Sequence, residues 1–141
     1  EKNLQALPIG KGVIKCEGKQ IAILCFGTLL ASAEIAAKNL GASLCDMRFV
    51  KPLDKAMLHE IFSNYSKVIT VEDGCVQGGF GSAILEFMAE HHYNAEVRIL
   101  GIPDAIIEHG EQLELHHECG FDAQGIEQAV MQMLEPVAKT A

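Results

Sequence analysis

The sequence predicts an α/β fold: an open, mostly parallel sheet of about five strands, one of them antiparallel, with helices on both faces. Three observations lead there. Short apolar or β-branched runs alternate with stretches of helical period. One of those runs, Ile21 to Phe26, is apolar throughout, as a strand covered on both faces must be. The joints between runs carry turn and capping residues, including Gly27-Thr28, Gly41, Pro52 with Asp54, and Gly120.

Residues 1–12 read as an interdomain linker and residues 13–141 as the domain itself. The chain begins with Glu1 rather than Met, so it is expected to be a piece of a longer polypeptide divided at a domain boundary. Val13 to Cys16, the polar turn Glu17-Gly18-Lys19 and Ile21 to Phe26 suggest a β-hairpin, which would supply the antiparallel strand. A first helix is expected from about Leu29 to Leu40, with Leu29, Ile35, Ala36 and Leu40 at helical spacing and Gly41 closing it.

Ser43 to Phe49 reads as the next strand. Pro52 pre-sets the turn that follows, and Asp54 is placed to cap a helix from Lys55 to Tyr65 whose apolar face is Met57, Leu58, Ile61 and Phe62. Val68 to Val71 is a short β-branched strand, followed by a glycine-rich stretch and a helix bearing Ile84, Leu85, Phe87 and Met88. Val97 to Leu100 is a further strand and Gly101-Ile102-Pro103-Asp104 a loop. Glu111 to Cys119 is a short helix stopped by Gly120, and Asp122 caps a last helix reaching Leu134. The order is therefore ββαβαβαβαα.

A net charge of −8 argues against a nucleic-acid backbone or an anionic membrane as partner, since neither attracts an acidic surface. Its longest apolar runs fall far short of the ~20 residues that cross a bilayer. Five cysteines, Cys16, Cys25, Cys45, Cys75 and Cys119, form no Cys-x-x-Cys pair and fit reduced thiols in a cytoplasm. Cys25 and Cys45 lie in apolar runs and read as small buried side chains.

Four places could carry chemistry. Glu72 to Ser82 lies between a strand and a helix, where backbone N–H groups can cradle a phosphate. Gly74 and Gly79 have the spacing of a P-loop, but Phe80 and Gly81 stand where that motif needs Lys and Ser or Thr. Gly79-Phe80-Gly81 also lacks the third glycine of a dinucleotide fingerprint, so close packing and sharp turning explain the glycines better.

His116-His117-Glu118-Cys119 holds metal-capable groups, but neighbours on a helix point about 100° apart and do not share one ion. His91-His92 is read the same way. His109, on the loop Ile107-Glu108-His109-Gly110 beyond a strand's carboxyl end, is the best isolated polar candidate, although no nucleophile is paired with it. Finally, Asp46, Arg48, Lys51 and Asp54 concentrate charge at a strand exit. They read as a charge-paired loop rather than a site, with Arg48 suited to hold a carboxylate of this chain or of a partner.

With these residues read, the chain resembles the C-terminal domain of the transketolase-like thiamine-diphosphate enzymes, and among them the 1-deoxy-D-xylulose 5-phosphate synthases. The resemblance runs through Leu7 to Gly12, Ile21 to Leu24, Phe26 to Leu29, Asp46 to Asp54, Thr70 to Asp73, Gly78 to Ser82, Gly101 to Asp104 and Ile107 to Gly110. It implies a parent enzyme that condenses pyruvate with glyceraldehyde 3-phosphate, releasing carbon dioxide, and that feeds isoprenoid, thiamine and pyridoxal synthesis. It further implies a cytoplasmic homodimer whose thiamine diphosphate and Mg²⁺ are held by two preceding domains of the same polypeptide.

Those domains use a Gly-Asp-Gly motif, a later Asn and an activating glutamate. Here Glu72-Asp73-Gly74 is not Gly-Asp-Gly, and Asn94 lacks the matching context. The resemblance thus assigns no catalytic, cofactor-binding or metal-binding residue to this chain, and makes it a structural, dimer-supporting domain that is inactive alone. Two other readings compete. One is the C-terminal domain of a 2-oxoacid dehydrogenase β-subunit; the other is a regulatory domain binding a small phosphorylated metabolite at Gly78 to Ser82 and His109.

Overall fold

In the computed structural model, which describes residues 5–135, the elements follow in the expected order. They are β1 (Val13–Cys16), β2 (Ala22–Phe26), α1 (Leu30–Leu40), β3 (Ser43–Asp46), α2 (Lys55–Asn64), β4 (Lys67–Cys75), α3 (Phe80–Glu90), β5 (Glu96–Ile102), α4 (Gln112–Glu118) and α5 (Ala123–Leu134). The sheet order is β1-β3-β2-β4-β5, with β2 to β5 parallel to one another and β1 antiparallel to β3.

The expected hairpin does not form. β1 pairs with β3, Val13 opposite Asp46 and Ile14 opposite Cys45, while β2 lies one strand further in. The reason is burial. Ala22, Ile23, Leu24 and Cys25 are all at most 1% exposed, and the edges of β2 go to two parallel partners, β3 and β4. The link from β1 to β2 therefore passes beneath the amino end of β3. Gly18 makes the passage: a Cβ there would stand 2.3 Å from the main chain at Ala42 and Ser43. The Tyr65 hydroxyl holds the link by donating to the Gly18 carbonyl at 2.8 Å, and Ser43 Oγ donates to the Cys16 carbonyl at 3.2 Å.

Alternation along β2 divides the interior in two. Ile23 and Cys25 face a cluster with α1 and α5, built on Leu44, Ile69, Val71, Phe121, Ile126 and Val130. Ala22 and Leu24 face α2 and α3, where Met47, Leu58, Phe62, Phe80, Ile84 and Phe87 close the second layer. Helices thus cover both faces, as the strand pattern requires.

Element boundaries and faces differ from expectation in several places. β3 ends at Asp46 rather than Phe49, because Arg48 turns the chain with φ of 57°. β4 runs on to Cys75, so Glu72 to Cys75 is strand rather than loop, and β5 likewise takes in Gly101 and Ile102. On α1 the buried positions are Ala33, Ala36 and Ala37, whereas Ile35 is 52% exposed. Small side chains there let α1 lie close to the sheet and to α5. Leu85 likewise points outward, while Phe80, Ile84 and Phe87 carry the buried face of α3.

Residues 1–4 of the expected linker lie outside the described residues, as do residues 136–141 of the expected domain. The nearer part of the linker is tied to the turn before α2. Asp54 accepts from the N–H groups of Met57 at 3.2 Å and Gly12 at 3.1 Å, and from the Lys11 ammonium at 3.3 Å. Burial works to raise the pKa of this carboxyl, but the N–H groups of Met57 and Gly12 and the Lys11 charge outweigh it and hold it below its ordinary value.

A carboxyl lowered on folding stabilises in full above its unfolded pKa of about 4, and this contribution is lost as pH falls through the lower folded value. Asp54→Asn keeps a capping oxygen and gives up only the charge, the difference between charge-assisted and neutral hydrogen bonds, and is therefore expected to cost about 1 kcal/mol at pH 7. The cost should shrink toward zero in acid, as read from urea midpoints between neutral and strongly acidic pH.

Candidate functional site at the carboxyl end of the sheet

Because β2 to β5 are parallel, their carboxyl ends open onto one edge, the edge on which open α/β sheets place ligands. Thr28 after β2, the Asp46–Arg48 turn after β3, Glu72 to Gly79 at the end of β4 and Pro103 to Glu111 after β5 all gather there. Across the middle of this edge, the Thr28 hydroxyl donates to Asp73 Oδ2 at 2.6 Å.

The glycine-rich segment turns out to be filled by the protein itself. Glu72, 3% exposed, points its carboxylate at the start of α3 and accepts from Phe80 N at 2.7 Å and Gly81 N at 2.9 Å. These are the amides that a bound phosphate would need. The glycines fit around that carboxylate. A Cβ on Gly79 would lie 2.2 Å from Glu72 Oε2, and one on Gly81 would meet Ile99 at 2.6 Å and Thr70 Oγ1 at 2.7 Å. Ser82 Oγ accepts from Gly78 N at 2.9 Å and donates to the Val76 carbonyl at 3.2 Å, closing the turn.

The charged motif after β3 separates into two local devices. Asp46 accepts from Arg48 N at 3.2 Å, and its other oxygen lies 3.5 Å from Arg48 Nε, so the partner of Arg48 is two residues away in its own turn. Asp54 belongs instead to the Lys11 and Gly12 contacts, and Lys51 is exposed. The four residues do not converge.

His109 is exposed and lines a cavity of about 410 Å³ together with Asp73, Ile102, Glu108, Leu115, Cys119 and Phe121. His116 lines it too, its ring 4.9 Å from that of Phe121, but His117 turns away to donate to Asp122 at 2.8 Å. Burial, helped by Glu118, pushes the Cys119 thiol up, the opposite of what an activated nucleophile needs. Cys25 and Cys45 are pushed up to about 12, by burial above all, and are inert. His91 is remote from this edge's loops in sequence and packs on Phe87 and against His59, with ring centroids 4.2 and 4.6 Å apart. His92 adopts φ of 57° at the end of α3. Among the described residues, no three His, Cys, Asp or Glu side chains converge as a metal would need.

Glu72 is the residue whose role the sequence reading missed. A signal existed: an acidic residue embedded in an apolar strand must find donors, and the free amides of the next helix are the nearest supply. The Thr28 to Asp73 bond left no such signal, because it joins the turn after β2 to the end of β4, far apart in sequence.

Comparisons with known proteins agree with this geometry. A family model described as the transketolase C-terminal domain matches residues 10–126. The chain is 50% identical over 140 residues to a 1-deoxy-D-xylulose-5-phosphate synthase of Cytophaga hutchinsonii, covering 96% of the chain and 22% of that protein. It is 46% identical to the synthase of Cellvibrio japonicus, with 98% and 22% covered, and 47% identical to that of Yersinia pestis, with 90% and 20% covered. The chain thus spans about a fifth of the length of these relatives.

Among solved structures, a split-gene transketolase described as an inactive beta4 tetramer superposes with a TM-score of 0.84 at 32% identity, covering 91% of this chain and 43% of that one. A 2-oxoglutarate:ferredoxin oxidoreductase from Magnetococcus marinus shares the fold at a TM-score of 0.58 and 13% identity, covering 89% of this chain and 20% of that one. On a matched span of residues 10–126 and a sheet of the same topology class, the chain belongs to the transketolase C-terminal domain family.

Proposed function

We propose that this chain is the C-terminal domain of a 1-deoxy-D-xylulose-5-phosphate synthase, a structural domain that braces the assembly and supplies no catalytic group. The parent would be a cytoplasmic, homodimeric, thiamine-diphosphate- and Mg²⁺-dependent transferase condensing pyruvate with glyceraldehyde 3-phosphate for isoprenoid, thiamine and pyridoxal synthesis. The observation that carries the non-catalytic reading is the seating of Glu72 on the α3 amides. The α3 start, to which the glycine-rich segment leads, is already capped by a carboxylate and so closed to a diphosphate.

The residues present do not fit thiamine diphosphate with its metal. No oxygen-rich cluster converges among the described residues, and the candidate anion cradle is filled from within. The same seating removes the support for regulation by a small phosphate at Gly78 to Ser82. The names of the relatives favour a synthase over a dehydrogenase β-subunit. That a transketolase chain containing this fold assembles into a tetramer yet is described as inactive supports assembly without catalysis.

Calorimetric titration of the isolated 141-residue chain with thiamine diphosphate and Mg²⁺ is expected to give no saturable heat, and a pyruvate-consumption assay no turnover. Cofactor affinity matching that of a full-length synthase would overturn the reading.

A further inference from the structure

We propose that the face formed by Pro103 to Glu118 docks against an apolar surface ringed by Lys and Arg on the preceding domains of the same polypeptide, an assignment that rests on the assembly role above. The first support is how little this segment is buried. α4 has no buried residue, Ile106 is 97% exposed and Leu113 is 79% exposed. Two large apolar side chains this open on one segment beside an apolar-walled cavity point to a surface made to be covered. The second support is the cavity of about 410 Å³ at the base of the segment. Its walls include Ile102, Ile107, Leu115 and Phe121, leaving room for an apolar side chain from outside.

Charge selects the occupant. Asp104, Glu108, Glu111, Glu114 and Glu118, all exposed, are interspersed with the apolar residues along this segment, and no Lys or Arg occurs anywhere from residue 99 to 138. Among the described residues, none of these five carboxylates pairs with a cation. A second copy of the same face would bring acid against acid, so self-pairing here is disfavoured. The complementary surface has an apolar centre and a basic rim. A chain spanning 22% of its relatives leaves most of such a polypeptide available to supply it, at the high effective concentration that tethering gives.

The test is amide hydrogen exchange, comparing the full-length parent with the isolated 141-residue chain. In the parent, residues 103–118 are expected to exchange roughly tenfold or more slowly than in the isolated chain. Ile106→Asp combined with Leu113→Asp should abolish that difference in the parent while leaving the unfolding midpoint of the isolated chain unchanged, because both positions are exposed. Equal exchange at 103–118, with protection gained instead on α2 and α3, would overturn this surface and leave the assembly role standing. No protection anywhere would remove both. Slowing that grows with the concentration of the isolated chain would mean self-association and would also overturn the proposal.

Discussion

Replacing Glu72 with alanine is expected to lower the unfolding free energy by about 4 kcal/mol, the sum of two buried N–H groups left unpaired at about 1–3 kcal/mol each. Phe80 is 1% exposed and Gly81 is buried, so water cannot take over at this helix start. The loss falls on the joint between β4 and α3, where the carboxylate also completes the electrostatics of the helix N-terminus. Thermal unfolding should shift down by roughly 15 °C for a domain of this size. Glu72→Gln provides a graded control. Its amide oxygen can accept one of the two N–H groups, but its NH₂ then faces the other, so an intermediate loss is expected. A shift within about 1 kcal/mol for the alanine variant would mean that the helix start is solvated after all.

Gly18→Ala is expected to cost about 3 kcal/mol, the upper part of the usual range for overpacking. An added methyl group would stand 2.3 Å from the carbonyl carbon of Ala42 and the nitrogen of Ser43, and 2.4 Å from the Gly41 oxygen. All three are main-chain atoms of the α1 to β3 joint, so no side chain can swing aside. Gly41→Ala is the comparison. Its φ of 64° carries a backbone penalty of about 1 kcal/mol, but nothing lies within 4 Å of a Cβ there. Denaturant melts should rank Gly18→Ala as the less stable of the two; the reverse order would mean that the crossing beneath β3 has slack.

What could be read from the sequence was local. Asp54 and Asp122 announced themselves as caps because each stands just ahead of a helical period, and each indeed accepts from an amide three residues on. Gly41 and Gly120 ended their helices with φ of 64° and 74°. Strand pairing was not legible, because an apolar run does not say which neighbour it takes. The turn Glu17-Gly18-Lys19 looked like a hairpin, yet the demand of β2 for two parallel partners decided the matter. An acid in an apolar strand signalled that Glu72 needs donors, but which ones was not legible, because they lie eight and nine residues downstream, beyond the reach of capping rules. Ile35 misled because a helix pressed close to its neighbours buries its alanines first.

The crossing of β1 has a consequence for the order in which this chain assembles. β1 cannot dock onto β2, the next strand made, and must wait until Ser43 to Asp46 have been made and aligned beside β2. Until then Val13 to Cys16 is a loose edge with unmet hydrogen bonds, and the residues just ahead of it, Lys11 and Gly12, are held by Asp54. Local helices form first, and β1 closes only once the β2–β3 pair exists to receive it.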